Sequence, residues 1–343
     1  MDSARDYRKI ILFRALQLGD LLCAVPALRA LRGRFPMARI TLVGLPWAQE
    51  FRSRFPRYID EFVEFPGFPG LPERNPAALQ RFPEFLRNVR ALNADLAIQA
   101  HGSGVITNPL VQLFGARDYA GFYQPGQFQP VGVFIPYPAP EPETWKLLRL
   151  AAALGATDLE ESLEFETGAE DRELLAELPE AARLEGSPYV CIHPGARLAA
   201  RRWPLERFAR VADALADRGL RVAITGSSAE RPLAEKIMRE TRAECVDMTG
   251  RTSLGSLAAL LQGPRMLICN DTGVSHLAAA LRIPSVVVLH ASEKECWPPA
   301  DRRLHRVLSR IGGVRSQDVL QGVDAVLLET VQRQDRPRLS AVA

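Results

Sequence analysis

Residues 266–290 read MLICNDTGVSHLAAALRIPSVVVLH, and Asp271, Thr272, Gly273 and His276 crowd into one turn and the start of a helix between two apolar runs. An aspartate or threonine there caps the helix. The glycine opens a path to backbone N–H groups at the positive end of the helix dipole. Binding of an anion, above all a phosphate, is the chemistry this pattern suits. A well-capped structural helix explains the same letters equally well, and His276 alone is more often a core or surface residue than a ligand group.

Other candidates stand at the ends of neighbouring apolar runs. Pro194, Gly195 and Ala196 lead into a basic stretch, Arg197, Arg201 and Arg202, ahead of a helix that Pro204 can start. Guanidinium groups suit bidentate contacts to a diphosphate. Gly226 and Glu230 lie in TGSSAERPL, where the carboxylate either complements a helix N-terminus or accepts hydrogen bonds from ribose hydroxyls. In the first half, Gly19 and Asp20 form the turn after the first run, and His101, Ser103 and Asn108 belong to the glycine-containing turn HGSGVITN. QLGDLL is not G-x-G-x-x-G, so the dinucleotide fingerprint is absent. Asp20 is either an N-cap or a carboxylate aimed at whatever the second half binds.

These loops need strands to hold them. KIILFRA (9–15), RITLVG (39–44) and DLAIQA (95–100) read as strands, LLCAVPALRALRGRF as one amphipathic helix and 77–92 as another. PYVCIHPGA, RVAITGSSAE, RMLICNDTG and IPSVVVLHAS give four strand-to-loop junctions in order, and SQDVLQGVDAVLLETVQ reads as a closing helix. Alternating strands and helices predict an α/β chain with parallel, doubly wound sheets, in which ligands bind beyond the carboxyl ends of the strands. The proline cluster FIPYPAPEPET (134–144) divides two similar halves. The expected domains are 1–140, 141–315, and a terminal helix and tail, 316–343, whose helix packs back towards the first domain.

Composition excludes several classes. The chain has 343 residues, 47% of them apolar, and a formal charge of only +3. Of 43 basic residues only Lys9, Lys146, Lys236 and Lys294 are lysines, and acidic residues are interspersed throughout, so the arginine bias is no nucleic-acid footprint. Five widely spaced cysteines with no C-x-x-C pair argue against disulfides and zinc. No secretory signal or membrane-length apolar run is present, so a cytoplasmic protein is expected. Arg29, Arg32, Arg34, Arg52, Arg54 and Arg57 offer at most a peripheral contact with the inner membrane.

The blocks LQLGDLLCAVPALRAL, HPGA(x)4RRWP(x)3FA, ITGSSAE, MTGRTSLGSLAALL and NDTGVSHLAAAL, in that order, resemble glycosyltransferase family 9, the ADP-heptose-dependent heptosyltransferases of lipopolysaccharide core synthesis. The resemblance runs from about residue 9 to 330. It implies a GT-B fold: two Rossmann-like domains facing a cleft, the acceptor on the first, the nucleotide-sugar donor on the second, and no metal or cofactor.

The resemblance also implies roles. Asp20 is the general base of an inverting transfer, with Gly19, His101, Ser103 and Asn108 on the acceptor side. Gly195, Ala196, Arg197, Arg201, Gly226, Glu230, Asp271, Thr272, Gly273 and His276 bind the donor, with Arg201 at the family's usual lysine position. A saccharide or lipid-linked saccharide is the expected acceptor. Besides Arg201, two further departures accompany the match: His290 to Glu293 replace the family's FG-x-T turn, and the turn after Gln99 lacks the family's frequent cation, which implies a less anionic acceptor. Another sugar or a protein acceptor, a sugar-nucleotide epimerase on the same architecture, and a non-catalytic nucleotide-sugar binder are the rival readings.

Overall fold

The computed structural model describes residues 6–73, 76–138, 141–289, 301–310 and 312–334. Two compact units meet at Ser162 and Leu163.

In the first unit, β1 (Lys9–Phe13), β2 (Arg39–Gly44), β3 (Glu61–Glu64), β4 (Leu96–Gln99), β5 (Asp118–Tyr123) and β6 (Val133–Pro136) form one parallel sheet in the order β3-β2-β1-β4-β5-β6. Ile10 to Phe13 and Leu96 to Ile98 are buried without alternation, as strands covered on both faces require. The helices are α1 (Leu18–Leu22), α2 (Val25–Arg34), α3 (Ala48–Arg54), α4 (Phe82–Ala91), α5 (Thr107–Gln112) and α6 (Glu143–Ala153). The single helix expected after β1 is thus two. Pro26, in the first turn of α2, has no N–H to continue a helix arriving from α1, and the chain breaks at Cys23 and Ala24. The helix expected over 77–92 begins as a 3₁₀ segment, Pro76–Arg81, before α4.

A second correction concerns the boundary. The proline cluster does not end the first unit, because part of it is β6 and α6 follows as a further layer against α2. Leu147, Leu148, Leu150 and Ala151 are buried there, and Arg29 of α2 reaches Glu160 beyond the helix. Burial of that apolar face holds α6 in the first unit, so the division falls about 20 residues after the cluster.

The second unit opens with α7 (Ala169–Ala176) and α8 (Pro179–Ala182). Strands β7 (Tyr189–His193), β8 (Arg221–Ile224), β9 (Cys245–Asp247), β10 (Leu267–Asn270), β11 (Ser285–Val288) and β12 (His305–Leu308) then form a parallel sheet in the order β12-β11-β10-β7-β8-β9. Between them run α9 (Leu205–Ala216), α10 (Arg231–Glu240), α11 (Leu254–Leu261) and α12 (Gly273–Ala280), and α13 (Ser316–Gln334) ends the described chain. The terminal helix, expected to return towards the first domain, packs on α9, β11 and β12. Its Val319, Val323 and Val326 join Val286 and Val288 in the core of the second sheet. The expected tail from 335 onwards lies outside the described residues.

In each sheet the strand order reverses once, between β1 and β4 and between β7 and β10. Loops diverge at such a point and leave a crevice at the carboxyl ends, where ligands of this architecture bind.

Candidate active site

At the β7/β10 reversal, the side chain that organises the loops is Asn270, the fully buried last residue of β10. Its Oδ1 accepts the Trp203 N–H at 2.9 Å, and its Nδ2 donates to the Pro194 carbonyl at 2.7 Å and more weakly to that of Gly195 at 3.4 Å. Trp203, also fully buried, donates its indole N–H to Val314 at 2.9 Å. The turn after β7 and the basic stretch before α9 are therefore pinned to the end of β10.

Gly195 is a glycine for want of space: a Cβ there would stand 1.8 Å from Glu230 Oε1. Glu230 Oε2 accepts the Ser227 N–H at 2.8 Å and its hydroxyl at 2.9 Å, which holds the carboxylate with Oε1 against the Gly195 backbone. Gly226 is confined too, since a Cβ would lie 3.1 Å from Thr249 and 3.3 Å from Glu230. Ala196 is buried, with its carbonyl accepting from Arg202 Nε at 2.9 Å, and Arg197 is exposed.

Thr272 is the N-cap residue of α12, in an extended conformation, and its hydroxyl makes no capping bond. Its carbonyl accepts from the N–H of Ser275 at 3.0 Å and the hydroxyl at 2.7 Å. The amides of Gly273 and Val274, ahead of Ser275 in the first turn, have no intrahelical acceptor. Asp271 Oδ2 lies 4.0 Å from Arg201 Nη1. Burial pushes the His276 pKa down while the Asp271 charge opposes that shift; His193 is likewise lowered by burial and opposed by Glu230. His193 Nδ1 is 3.1 Å from the Thr225 hydroxyl.

The β1/β4 reversal is finished with charge. Asp20 stands in the first turn of α1, where Oδ2 accepts the Gln17 N–H at 3.1 Å; the preceding Gly19 is buried. His101 stacks on Phe13 with centroids 5.2 Å apart, accepts the Ala15 N–H on Nδ1 at 3.3 Å and places Nε2 3.9 Å from Glu73. Burial, reinforced by the Arg14 charge, lowers its pKa to about 3, so the ring is neutral at pH 7. Asn108 is buried, and its Nδ2 donates to the Phe122 carbonyl at 2.9 Å. Gly104 has φ +90° and no room for a Cβ beside that carbonyl. Of the four acceptor-side positions read from the sequence, His101 and Asn108 brace the turn from inside, Gly19 is buried, and Ser103 is partly exposed.

The family model of glycosyltransferase family 9 (heptosyltransferase) matches residues 84–321. The chain belongs to this family. Lipopolysaccharide heptosyltransferase 2 of Escherichia coli is 24% identical over 97% of this chain and 98% of its own. In overall structure the chain resembles a glycosyl transferase family 9 protein from Veillonella parvula, with a TM-score of 0.78, 22% identity, and coverage of 94% of this chain and 98% of that one. It also resembles the E. coli ADP-heptose lipopolysaccharide heptosyltransferase II, with a TM-score of 0.74, 21% identity, and coverage of 94% and 99%. The protein is a glycosyltransferase with the GT-B fold, as the five sequence blocks implied.

Within this glycosyltransferase, residues that sequence reading passed over build the site as much as those it named. Asn270 stood beside the DTG turn and was not assigned. Arg14 had a visible signal, a lone charge closing the apolar run KIILF, and it is fully buried. Gln99, also fully buried, ties the turn after β4 together through the carbonyls of His101 at 2.6 Å and Gly102 at 3.3 Å. Among the described residues no cluster of His, Cys, Asp and Glu could hold a metal, and no helix is long and apolar enough to cross a membrane. Of the arginines considered for a membrane face, Arg29 pairs with Glu160, while Arg32 and Arg52 bond to Asp60. The altered loop His290 to Glu293 lies outside the described residues.

Proposed function

We propose that this family 9 glycosyltransferase is an inverting heptosyltransferase that moves a heptose from ADP-heptose to a lipopolysaccharide or related cell-surface saccharide, with Asp20 as general base. The observation that carries the base assignment is the placement of the Asp20 carboxylate at the reversal point of the first sheet, fixed by the Gln17 N–H. The donor and acceptor come from the relatives, whose names specify ADP-heptose and lipopolysaccharide. The work is assigned to the cytoplasm, where nucleotide sugars are made.

In the proposed reaction the acceptor hydroxyl attacks the anomeric carbon as Asp20 takes its proton, the bond to the diphosphate oxygen breaks, and ADP leaves. Charge on the departing diphosphate meets the Thr272 hydroxyl, the Gly273 amide at the α12 N-terminus and Arg201. Glu230 takes the ribose, and the bare backbones of Gly195 and Gly226, with Ala196 beside them, let the donor reach it. Asp271 and His276 face the sugar and Arg197 the solvent edge of the diphosphate. Ser103, on the turn of His101 and Asn108, meets the acceptor with Gly19.

Asp20→Asn tests the reading. Turnover is expected to fall about 10²- to 10⁴-fold while donor affinity is kept, and near-normal turnover would remove Asp20 from the chemistry. A binding screen of nucleotide sugars tests the donor separately. Preference for a uridine diphosphate sugar would end the heptosyl assignment and leave the family membership intact.

A further inference from the structure

Arg14 spends its N–H groups on three different elements. Nε donates to the Asp20 carbonyl in α1 at 2.9 Å, Nη1 to the Ala100 carbonyl after β4, and Nη2 to Glu143 Oε1, at the first residue of α6, at 3.1 Å. The other Glu143 oxygen lies 3.3 Å from Lys146 Nζ, and Lys146 in turn donates to the Tyr137 hydroxyl at 3.3 Å. Arg14 is fully buried, and the side chains of Glu143 and Lys146 are 11% and 7% exposed.

Such a cluster is expensive to bury and gives little stability that apolar side chains would not give, so its use lies elsewhere. Two cations and one anion leave a surplus positive charge beside the turn that carries Asp20. Burial pushes the nearby Cys23 thiol up to about 12 and keeps it neutral, and the charges of Arg14, Glu143 and Asp20 act on it to a lesser degree. His101 stands neutral on the Ala15 side of the turn, with Glu73 beyond its ring.

We propose that Arg14 is a positioning residue for the transfer reaction: its fork fixes the main chain of Asp20 against β4, and with Glu143 and Lys146 it sets the field in which Asp20 takes the acceptor proton. The proposal rests on Asp20 being the base. It explains why an arginine is needed, since the three bonds leave three separate nitrogens of one planar cation, whereas the donors of a lysine all leave a single atom.

The test is the pH profile of kcat/KM, with kcat at saturating donor, for Arg14→Lys, Arg14→Gln, Glu143→Gln and Asp20→Asn in the full-length enzyme. Donor affinity and the thermal midpoint are measured on the same preparations. Arg14→Lys keeps the charge and loses the fork, so kcat should fall about ten- to a hundredfold with the acid limb unmoved. Arg14→Gln should lower kcat further and move the acid limb to higher pH, because the ionised carboxylate loses a cation. Glu143→Gln should move it to lower pH, because two cations then act unopposed. Loosened packing would not displace the limb in opposite directions.

Wild-type kcat in both Arg14 variants alongside an inactive Asp20→Asn enzyme would overturn the proposal alone. An active Asp20→Asn enzyme would instead overturn the base assignment, and this inference with it. Displacement of the limb in the same direction by Arg14→Gln and Glu143→Gln would overturn the electrostatic half. Should Arg14→Gln fail to fold by its thermal midpoint, Arg14→Lys and Glu143→Gln decide the matter.

Discussion

The two sheets share one strand order and reverse at equivalent places, yet the ends of the reversing strands are finished in opposite ways. After β1 and β4 the crevice is filled from within by Arg14, Glu143 and Lys146, with Asp20 at the edge. After β7 and β10 the organising side chain is the neutral amide of Asn270, and glycine clears the backbone beside Glu230. One crevice holds charges of its own. The other leaves the amides of Gly273 and Val274, which have no intrahelical acceptor, for charge brought by a ligand. The proposed base on one unit and the proposed diphosphate site on the other would need both designs, and substitutions should fail differently in each.

The largest effect on the second unit is expected where room itself is removed. Gly195→Ala drives a methyl into the Glu230 carboxylate, and overpacking of about 1–3 kcal/mol should lower donor affinity about 5- to 150-fold in a calorimetric titration. The double variant Gly195→Ala, Glu230→Ala relieves the clash, so its loss should be smaller than the sum of the single losses. Strict additivity would show that the two residues do not meet as described.

Asn270→Asp attacks the clamp rather than the space. The substitution sets a carboxylate oxygen against the Pro194 and Gly195 carbonyls and removes their donor, for a stability loss of about 2–3 kcal/mol. Urea unfolding should show the midpoint falling, and an unchanged midpoint would mean that the loops are held by other bonds.

How much of this the sequence disclosed follows from the distances along the chain that each feature spans. Glycines and capping residues at strand ends are local, so the turns at Gly195, Gly226 and Thr272 were readable, as were the strands Arg39–Gly44 and Leu267–Asn270. The three-residue β9 is too short to show a pattern, and β3, β5, β6 and β12, whose residues are partly exposed, do not read as buried apolar runs. Two of the three Arg14 partners lie 86 and 129 residues away, and those of Asn270 are 67 and 76 away, so neither cluster can be seen whole in a window of neighbouring letters. The domain boundary failed for a related reason. Proline marked where helix and strand stop, whereas membership of a unit was decided by the face that α6 buries on α2. For the same cause His101 and Asn108 read as polar residues of a loop, although the structure buries both.

The histidines give a gentler way to separate the units. In the second unit the carboxylates of Glu230 and Asp271 resist the downward shifts of His193 and His276, whereas in the first Arg14 adds to that of His101. With a folded pKa of about 3 against roughly 6.5 unfolded, His101 binds a proton in the unfolded chain but not in the folded one across that interval. Its stabilising contribution is therefore complete above about pH 6.5 and lost as pH falls towards 3. Between pH 6 and 4, His101→Gln should flatten the stability profile by up to about 1.4 kcal/mol per pH unit, and parallel profiles for wild type and variant would refute the assignment.

The smallest effect should come from a substitution that is severe in the other unit. Arg201 is about 30% exposed, and Asp271 lies 4.0 Å from it, beyond hydrogen-bond length and partly screened by solvent. Its proposed task is to present positive charge to a diphosphate, and a lysine ammonium does that from a slightly different reach. Arg201→Lys should therefore change donor affinity by no more than about twofold, within the ~0.5 kcal/mol expected for an exposed charge swap. Arg201→Ala, which removes the charge, should cost more and grow less damaging as salt rises. The same arginine-to-lysine change at Arg14 keeps the charge and loses the fork that reaches three elements, so the two replacements differ only in whether charge or shape is being used. Equal losses at the two positions would show that the second unit also depends on a guanidinium fork, and the contrast between the crevices would then lie in burial alone.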